Sequence, residues 1–387
     1  MSIISKETYP FHPIYSNGKF SSDDFVAVCA NANKLTINQD YFKPNHVLKK
    51  NGETIFHEVR TLTVTEKTNP KYKHILNPIP PFKGSIEEFA TRLKAALRKY
   101  FVAVWDSSKS HIFFHSSGYD SRVLSGVLME LRDELGERWI GDIHFRCHQP
   151  EGPSFLEIMK REKWRPSQYS IWKGPSTDHY DLGNPKINIG GVANYVIGMN
   201  FWRDIIPFGD ESNHVAITGI GGGEFSHYPI IKQPKNNIQW CNNQLFNRHL
   251  NFFPRGGFFV GYWQKLFDEL LTPFFSYSFL EEALKMPSKF LKMVPNSTDM
   301  IRHHILKTFE PDLINIRWFG HAYNFKFSSA REAEMLRHWR SSRLYKEHEH
   351  ILSIKNVNPL NRKNKFSACM YGFATVYEEI MKLREKR

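Results

Sequence analysis

The chain has 387 residues, 41% of them apolar and 14% aromatic. That is enough to bury a sizeable core in one large domain or two ordinary ones, which excludes wholesale disorder. No apolar run is long enough to span a bilayer, so no membrane partner is expected. Residues 1–20 hold no apolar stretch of the signal-peptide kind, so a cytoplasmic location is expected. The formal charge of +13 suits anionic partners such as a nucleotide, pyrophosphate or nucleic acid. Much of the excess lies in 285–307 and 331–387, and the outer faces of terminal helices account for it more simply than one binding face does. Cys29, Cys147, Cys241 and Cys369 form no C-x-x-C pair. They read as reduced thiols of a cytosolic protein, with no structural zinc expected.

Residues 1–80 read as turns and short strands. The apolar run 25–29 is one piece. Val47-Leu48 and Ile55-Phe56 flank the turn-like 49–52 as a hairpin would. Pro78, Pro80 and Pro81 mark a linker, so residues 1–84 are taken as a small β-rich segment and 85–387 as the main domain. A capping box, Ser85 with Glu88, opens a helix whose apolar positions are Ile86, Phe89, Leu93 and Leu97. The run 112–114 suits a buried strand, and 116–121 a small-residue turn. Val123, Leu124, Val127, Leu128, Leu131 and Leu135 then mark an amphipathic helix. Further strands are expected at 143–147 and 214–218, with a helix at 155–164 between them and mainly helix beyond 271. Strands alternating with helices predict an α/β fold with a parallel sheet flanked by helices.

The most informative stretch is 111–122, H-I-F-F-H-S-S-G-Y-D-S-R. A buried strand enters Ser116, Ser117 and Gly118, and a helix begins near Asp120. Small residues let the backbone approach a ligand, and a helix N-terminus offers unpaired N–H groups and a positive dipole end to a phosphate. Serine hydroxyls add donors. Asp120 repels a phosphate directly and makes sense if it holds Mg²⁺ that bridges to it. The plainer account is a strand-to-helix turn with Asp120 as a cap. No Gly-Lys-Ser/Thr follows, so this is not a Walker loop.

The stretch resembles the PP-loop motif S-G-G-x-D-S of ATP pyrophosphatases, with Ser117 in place of the first glycine. Residues 215–228, V-A-I-T-G-I-G-G-G-E-F-S-H-Y, resemble the asparagine-synthetase segment V-L-S-G-(D/E)-G-x-D-E-L-F-G-G-Y, with Thr218, Gly219, Gly221, Glu224 and Tyr228 in register. Residues 272–287, T-P-F-F-S-Y-S-F-L-E-E-A-L-K-M-P, resemble its P-F-L-D-x-x-L-V-E-x-A-L-x-L-P. The run 299–306 and Pro311 stand where that family has K-x-x-L-R-x-A-L and L-P. Three segments in the right order are far more specific than any one of them, and the resemblance spans roughly 85–325. It implies a parallel five-stranded sheet, ATP and Mg²⁺ as cofactors, and adenylation of a carboxylate with release of pyrophosphate. By the same resemblance the phosphates lie over Ser116, Ser117, Gly118, Tyr119 and Ser121, against Thr218 and Gly219, with adenine near Phe145 and Arg146. Asp120 and Glu224 would hold the metal, with Arg122 assisting catalysis.

The sequence also departs from that family. Its glutaminase half begins with a cysteine after the initiator methionine, whereas position 2 here is Ser2, and the residues before 85 are too few for that domain. Free ammonia, an amine substrate or an amidotransferase partner subunit would then supply nitrogen to the small-molecule carboxylate. Ile220 and Gly223 replace acidic residues, and Phe319 replaces a lysine that steadies charge on the departing phosphate. Arg122, Arg302, Arg317 and Lys307 are the candidate substitutes. Histidines 303 and 304 read as exposed helix residues. His144, Cys147 and His148 alternate faces of a strand and do not make a zinc site. Arg161, Lys163 and Arg165 fit a helix C-terminus. An amide-forming ligase is the leading expectation. A nucleotide-binding protein without catalysis is the second, and a PP-loop enzyme modifying nucleic acid the third.

Overall fold

The computed structural model describes residues 14–22, 24–38, 54–62, 80–148, 151–172, 211–222, 267–287, 290, 300–309, 313–317, 328–352 and 363–387. Its first elements are two-residue strands: β1 (Tyr15–Ser16) pairs antiparallel with β2 (Ser21–Ser22) and with β3 (Arg60–Thr61). Between them the run 25–29 is not a strand. Asp24 accepts the Ala27 amide as an N-cap, and α1 (Phe25–Ala30) follows. Phe25, Val26, Val28 and Cys29 are all buried, a short helix packed on more than one side, which an apolar run alone does not distinguish from a strand. The expected turn at 49–52 lies outside the described residues; Ile37 bridges antiparallel to Phe56.

The expected capping box is present: Ser85 Oγ accepts the Glu88 amide and Glu88 Oε2 accepts the Ser85 amide. It opens α2 (Ile86–Val104). Then come β4 (Ser110–Phe114), α3 (Tyr119–Leu135), the single-turn α4 (Glu137–Ile140), β5 (Asp142–His148) and α5 (Gly152–Arg161). β6 (Tyr169–Trp172), β7 (His214–Thr218) and β8 (Glu269–Leu271) complete the sheet. Its order is β6-β5-β4-β7-β8, with every pair parallel. Strand β4 is central. The chain runs outward from it to β6, then returns to β7 on the other side. Such a reversal opens a crevice at the carboxyl ends of the two strands that flank it.

The helices α6 (Tyr277–Ala283) and α7 (Met300–Lys307) pack against α2, and α7 also meets α3. The sheet and these helices share one core, with Phe89, Leu93, Leu97, Phe113, Val127, Leu128, Ile217, Leu280 and Leu306 fully or almost fully buried. A second core joins Tyr15 and buried residues of 25–37 and 55–59 to α8 (Ser329–Ser341), α9 (Arg343–Leu352) and α10 (Lys363–Glu385). Phe25, Phe56, Trp339, Phe373 and Ile380 meet there, so the buried residues before 60 lie with the last helices and not with the sheet. Arginines of this late basic region bond internally. Arg331 pairs with Glu334, Arg343 with Glu347 and Glu385, and Arg384 donates to the Cys29 and Ala32 carbonyls. No helix among the described residues is long and apolar enough to cross a membrane.

Trp339 is wholly enclosed in the second core. Trp339→Ala is expected to cost about 3–5 kcal/mol by cavity formation, read as a lower urea midpoint.

Candidate functional site

Strand β4 ends at Phe114, which lies opposite Thr218 of β7, so the loops leaving both strands start side by side. The β4 loop is 115–118. Ser117 adopts φ 50, the left-handed region where glycine is at ease and a serine is not. The position where the PP-loop motif has glycine is therefore a backbone position that favours glycine. Two buried bonds hold Ser117 there: its N–H donates to His115 Nδ1 at 3.1 Å, and its carbonyl accepts from Arg122 Nε at 2.8 Å. Ser121 Oγ accepts the Ser116 amide at 3.2 Å and lies 3.1 Å from Ser116 Oγ. Helix α3 then begins at Tyr119 behind Gly118, which supplies no side-chain cap. A long helix thus points a first turn without a side-chain cap at the crevice.

Beneath the loop runs a buried polar chain. His115 Nε2 lies 3.2 Å from Ser125 Oγ, Ser125 Oγ donates to Glu162 Oε1 at 2.7 Å, and Trp164 Nε1 donates to Glu162 Oε2 at 2.7 Å. Because the Ser117 amide can only donate, His115 Nδ1 must be bare, which puts the imidazole proton on Nε2, facing Ser125. Burial, reinforced by the Arg122 cation, lowers His115 to about 3. Burial raises the Glu162 carboxyl to about 8, against the bonds from Ser125 and Trp164 and the nearby Arg132 and Arg122 cations. The chain adapts to either state of Glu162. A protonated Glu162 donates to Ser125 Oγ, which turns its own proton to the Arg122 carbonyl 3.3 Å away. No sequence signal pointed to this chain of bonds. Glu162 sits between Arg161 and Lys163 and reads as part of a solvated charged run.

Arg122 is fully buried. Besides Ser117 it donates from Nη1 to the Leu313 carbonyl at 3.1 Å and the Ile316 carbonyl at 2.7 Å, and its guanidinium lies over the Tyr119 ring. Burial lowers it only to about 10, so it stays cationic at neutral pH. The arginine expected to assist catalysis is placed as a clamp between the loop and residues 313–316.

On the other side of the crevice, Thr218 Oγ1 accepts the Ile220 amide at 3.3 Å, and the backbone from Gly219 presses on the start of α3. A Cβ at Gly219 would stand 3.3 Å from the Ser121 nitrogen, and one at Gly222 only 2.6 Å from Asp120 Cγ and 2.7 Å from its Oδ1. Glycine at 222 lets the β7 loop lie directly on the Asp120 carboxylate. From helix α7 Arg302 Nη1 reaches Asp120 Oδ1 at 2.6 Å. Helix α7 holds that register by burying Ile301, Ile305 and Leu306.

Mg²⁺ asks for near-octahedral oxygen coordination. Asp120 already spends Oδ1 on a guanidinium, and among the described residues no three His, Cys, Asp or Glu side chains come together to hold a metal. On Asp120 the ion would have to share or displace that guanidinium. Glu224, Gly223, Tyr228 and Phe319 lie outside the described residues.

The structure thus brings Ser116, Ser117, Gly118, Tyr119, Asp120, Ser121, Thr218 and Gly219 together at the carboxyl ends of β4 and β7, with Ser117, Ser121 and Thr218 buried. It does not bring Phe145 there. Ile143, Phe145 and Cys147 share the buried face of β5, and Phe145 packs on Trp164 with centroids 4.6 Å apart, so it offers no surface to an adenine. Arg317 meets Ser154 Oγ through its carbonyl, and Lys307 is exposed. His304 lies 3.4 Å from Glu87, and His144 pairs with Ser170. Helix α5 stops at Arg161, three residues before the expected end, where Lys163 turns to φ 57. Compared with known proteins, the chain matches no family model and no curated relative.

Two outcomes follow from the loop and its support. The Ser117 hydroxyl makes no hydrogen bond among the described residues. Ser117→Gly is expected to relieve the left-handed strain and raise stability by about 1 kcal/mol in chemical denaturation. For Glu162 the folded pKa lies above the unfolded one. Its stabilising share is complete below pH 4.5 and is lost as pH rises through about 8. His115 works the other way, but only between about 3 and 6.5. From pH 6.5 to 8 wild-type stability should therefore fall, by roughly 1.4 kcal/mol per pH unit at most, and Glu162→Gln should flatten the curve.

Proposed function

We propose that the chain binds ATP by its phosphates in the crevice between β4 and β7 and acts as an amide-forming ligase of the asparagine-synthetase kind. The observation that carries this reading is the meeting of two small-residue loops at the strand-order reversal. One leads into the N-terminus of α3, and the other lies against that same first turn. Open α/β sheets bind ligands at such a reversal, and helix N-termini favour phosphate. The resemblance of 111–122, 215–228 and 272–287 to the synthetase segments supplies the chemistry.

In this reading the amides at the start of α3 and the Ser116 hydroxyl receive the phosphates, and the backbone from Gly219 closes over them. A substrate carboxylate attacks the α-phosphorus, the bond to the β-phosphate oxygen breaks, and pyrophosphate leaves. An amine or ammonia then attacks the acyl carbon of the acyl-adenylate and expels AMP. Preorganised donors on the departing pyrophosphate lower the barrier, because they need no rearrangement as charge develops. Nitrogen would come from free ammonia, an amine substrate or an amidotransferase partner subunit. A second reading, nucleotide binding without turnover, draws support from Arg122. With Nε and Nη1 on three backbone carbonyls, it is held away from the role a catalytic cation would need.

Calorimetry with ATP, followed by assay of the same mixtures for AMP and pyrophosphate with candidate carboxylates and amines, separates the two readings. Binding with pyrophosphate release supports the ligase. Binding without release under every substrate supports the second reading, and no binding removes both. Gly219→Ala, whose Cβ would stand 3.3 Å from the Ser121 nitrogen, should weaken ATP at least about tenfold and lower the thermal midpoint as well, so its binding is compared at a temperature where both proteins are folded.

A further inference from the structure

The negative charge of Asp120 at a phosphate-binding turn needs an explanation. A bridging metal is one, and the structure holds another. We propose that Arg302 is the cation that neutralises Asp120 in this site, so that nucleotide phosphates bind beside the Arg302–Asp120 pair without a divalent ion on that carboxylate. The proposal rests on the ATP-binding reading above and specifies what that site recognises: the polyphosphate anion itself, without its metal complex.

Three observations meet here. The pair is short, at 2.6 Å, and largely shielded, with side-chain exposures of 11% for Arg302 and 28% for Asp120. A charge-assisted bond in such surroundings is stronger than an exposed ion pair. The carboxylate is covered on a second side by Gly222, so close that a single added methyl would stand 2.7 Å from Oδ1. A hydrated Mg²⁺ keeps several waters, and on Oδ1 it would have to part that oxygen from both neighbours. Finally, α7 is anchored on α2 and α3 through Ile301, Ile305 and Leu306, so Arg302 is delivered by a packed helix. A guanidinium is planar, always charged and weakly hydrated, so it keeps its charge beside Asp120 in these shielded surroundings. Arg302 thereby removes the repulsion that Asp120 would exert on the ligand.

The test uses the full chain, ATP as the probe, and calorimetry in EDTA and in Mg²⁺. Wild type should bind ATP in EDTA within about threefold of its affinity in Mg²⁺, and Asp120→Asn should bind as well or better. Arg302→Gln should lose roughly tenfold to a hundredfold in EDTA. A direct metal readout accompanies this: Mn²⁺ titrated without nucleotide and followed by electron paramagnetic resonance. Wild type should show no Mn²⁺ binding that Asp120→Asn removes, whereas Arg302→Gln, with the carboxylate uncovered, should gain it. Loss of wild-type ATP binding in EDTA, or wild-type Mn²⁺ binding that disappears in Asp120→Asn, overturns the proposal. Neither arm needs an Arg302 variant, so a misfolded Arg302→Gln leaves the question decidable. Absence of ATP binding in both buffers instead sinks the nucleotide reading and the phosphate half of the proposal with it. The Mn²⁺ result still decides between Arg302 and a metal at Asp120.

Discussion

Ser117 sits in a backbone conformation that a side chain resists, and the candidate site depends on its being kept there. Its amide is bound by His115 and its carbonyl by Arg122, so both peptide units flanking the strained residue are pinned from inside the fold. Each holder is itself held. His115 is anchored at Nε2 by Ser125, which is bonded in turn to Glu162, and Arg122 is stretched between the loop and residues 313–316. Left-handed backbone at a non-glycine residue persists where the surroundings over-determine it. Here the over-determination reaches from β4 through α3 to Trp164, and all of it comes from beneath the loop.

Much of the architecture was legible because it follows from periodicity and local chemistry. The capping box fixed the start of α2, the apolar run 112–114 its central strand, and the spacing from Val123 to Leu135 the helix α3. The parallel sheet followed from the alternation. What escaped was short or masked by composition. β6 has four residues and β8 three, below the length at which alternation is readable. The run 25–29 read as a strand because a helix buried on several sides has no polar face to give it a helical period.

The site was legible as a set of loop residues but not as a set of bonds. Ser116 to Ser121, Thr218 and Gly219 were named from small-residue content and resemblance, and they converge. Phe145 was named for its place in the chain, and strand alternation turned it inward with Ile143 and Cys147. Arg122 follows Ser121 directly, and one step along a helix turns a side chain about a quarter circle. That step takes it from the crevice to the core. Its apparent suitability for catalysis came from charge and proximity in sequence, neither of which reports the direction of a side chain. Arg302 was only one of four cations considered, and nothing in the chain singled it out. Its meeting with Asp120 is a long-range contact set by how α7 packs.

The second core joins residues that are far apart in sequence. Arg384 donates to the carbonyl of Ala32, 352 positions earlier, and Phe25 and Phe56 find their neighbours on helices from 329 onward. During synthesis the sheet and its helices have all their strands once β8 has emerged, while α1 and its aromatic residues still lack the surfaces that cover them. The earlier segment is therefore buried later than the sheet that follows it in the chain. Until the helices from 329 onward have been made, its apolar residues lack their cover, and a nascent chain at that stage exposes surface that favours aggregation.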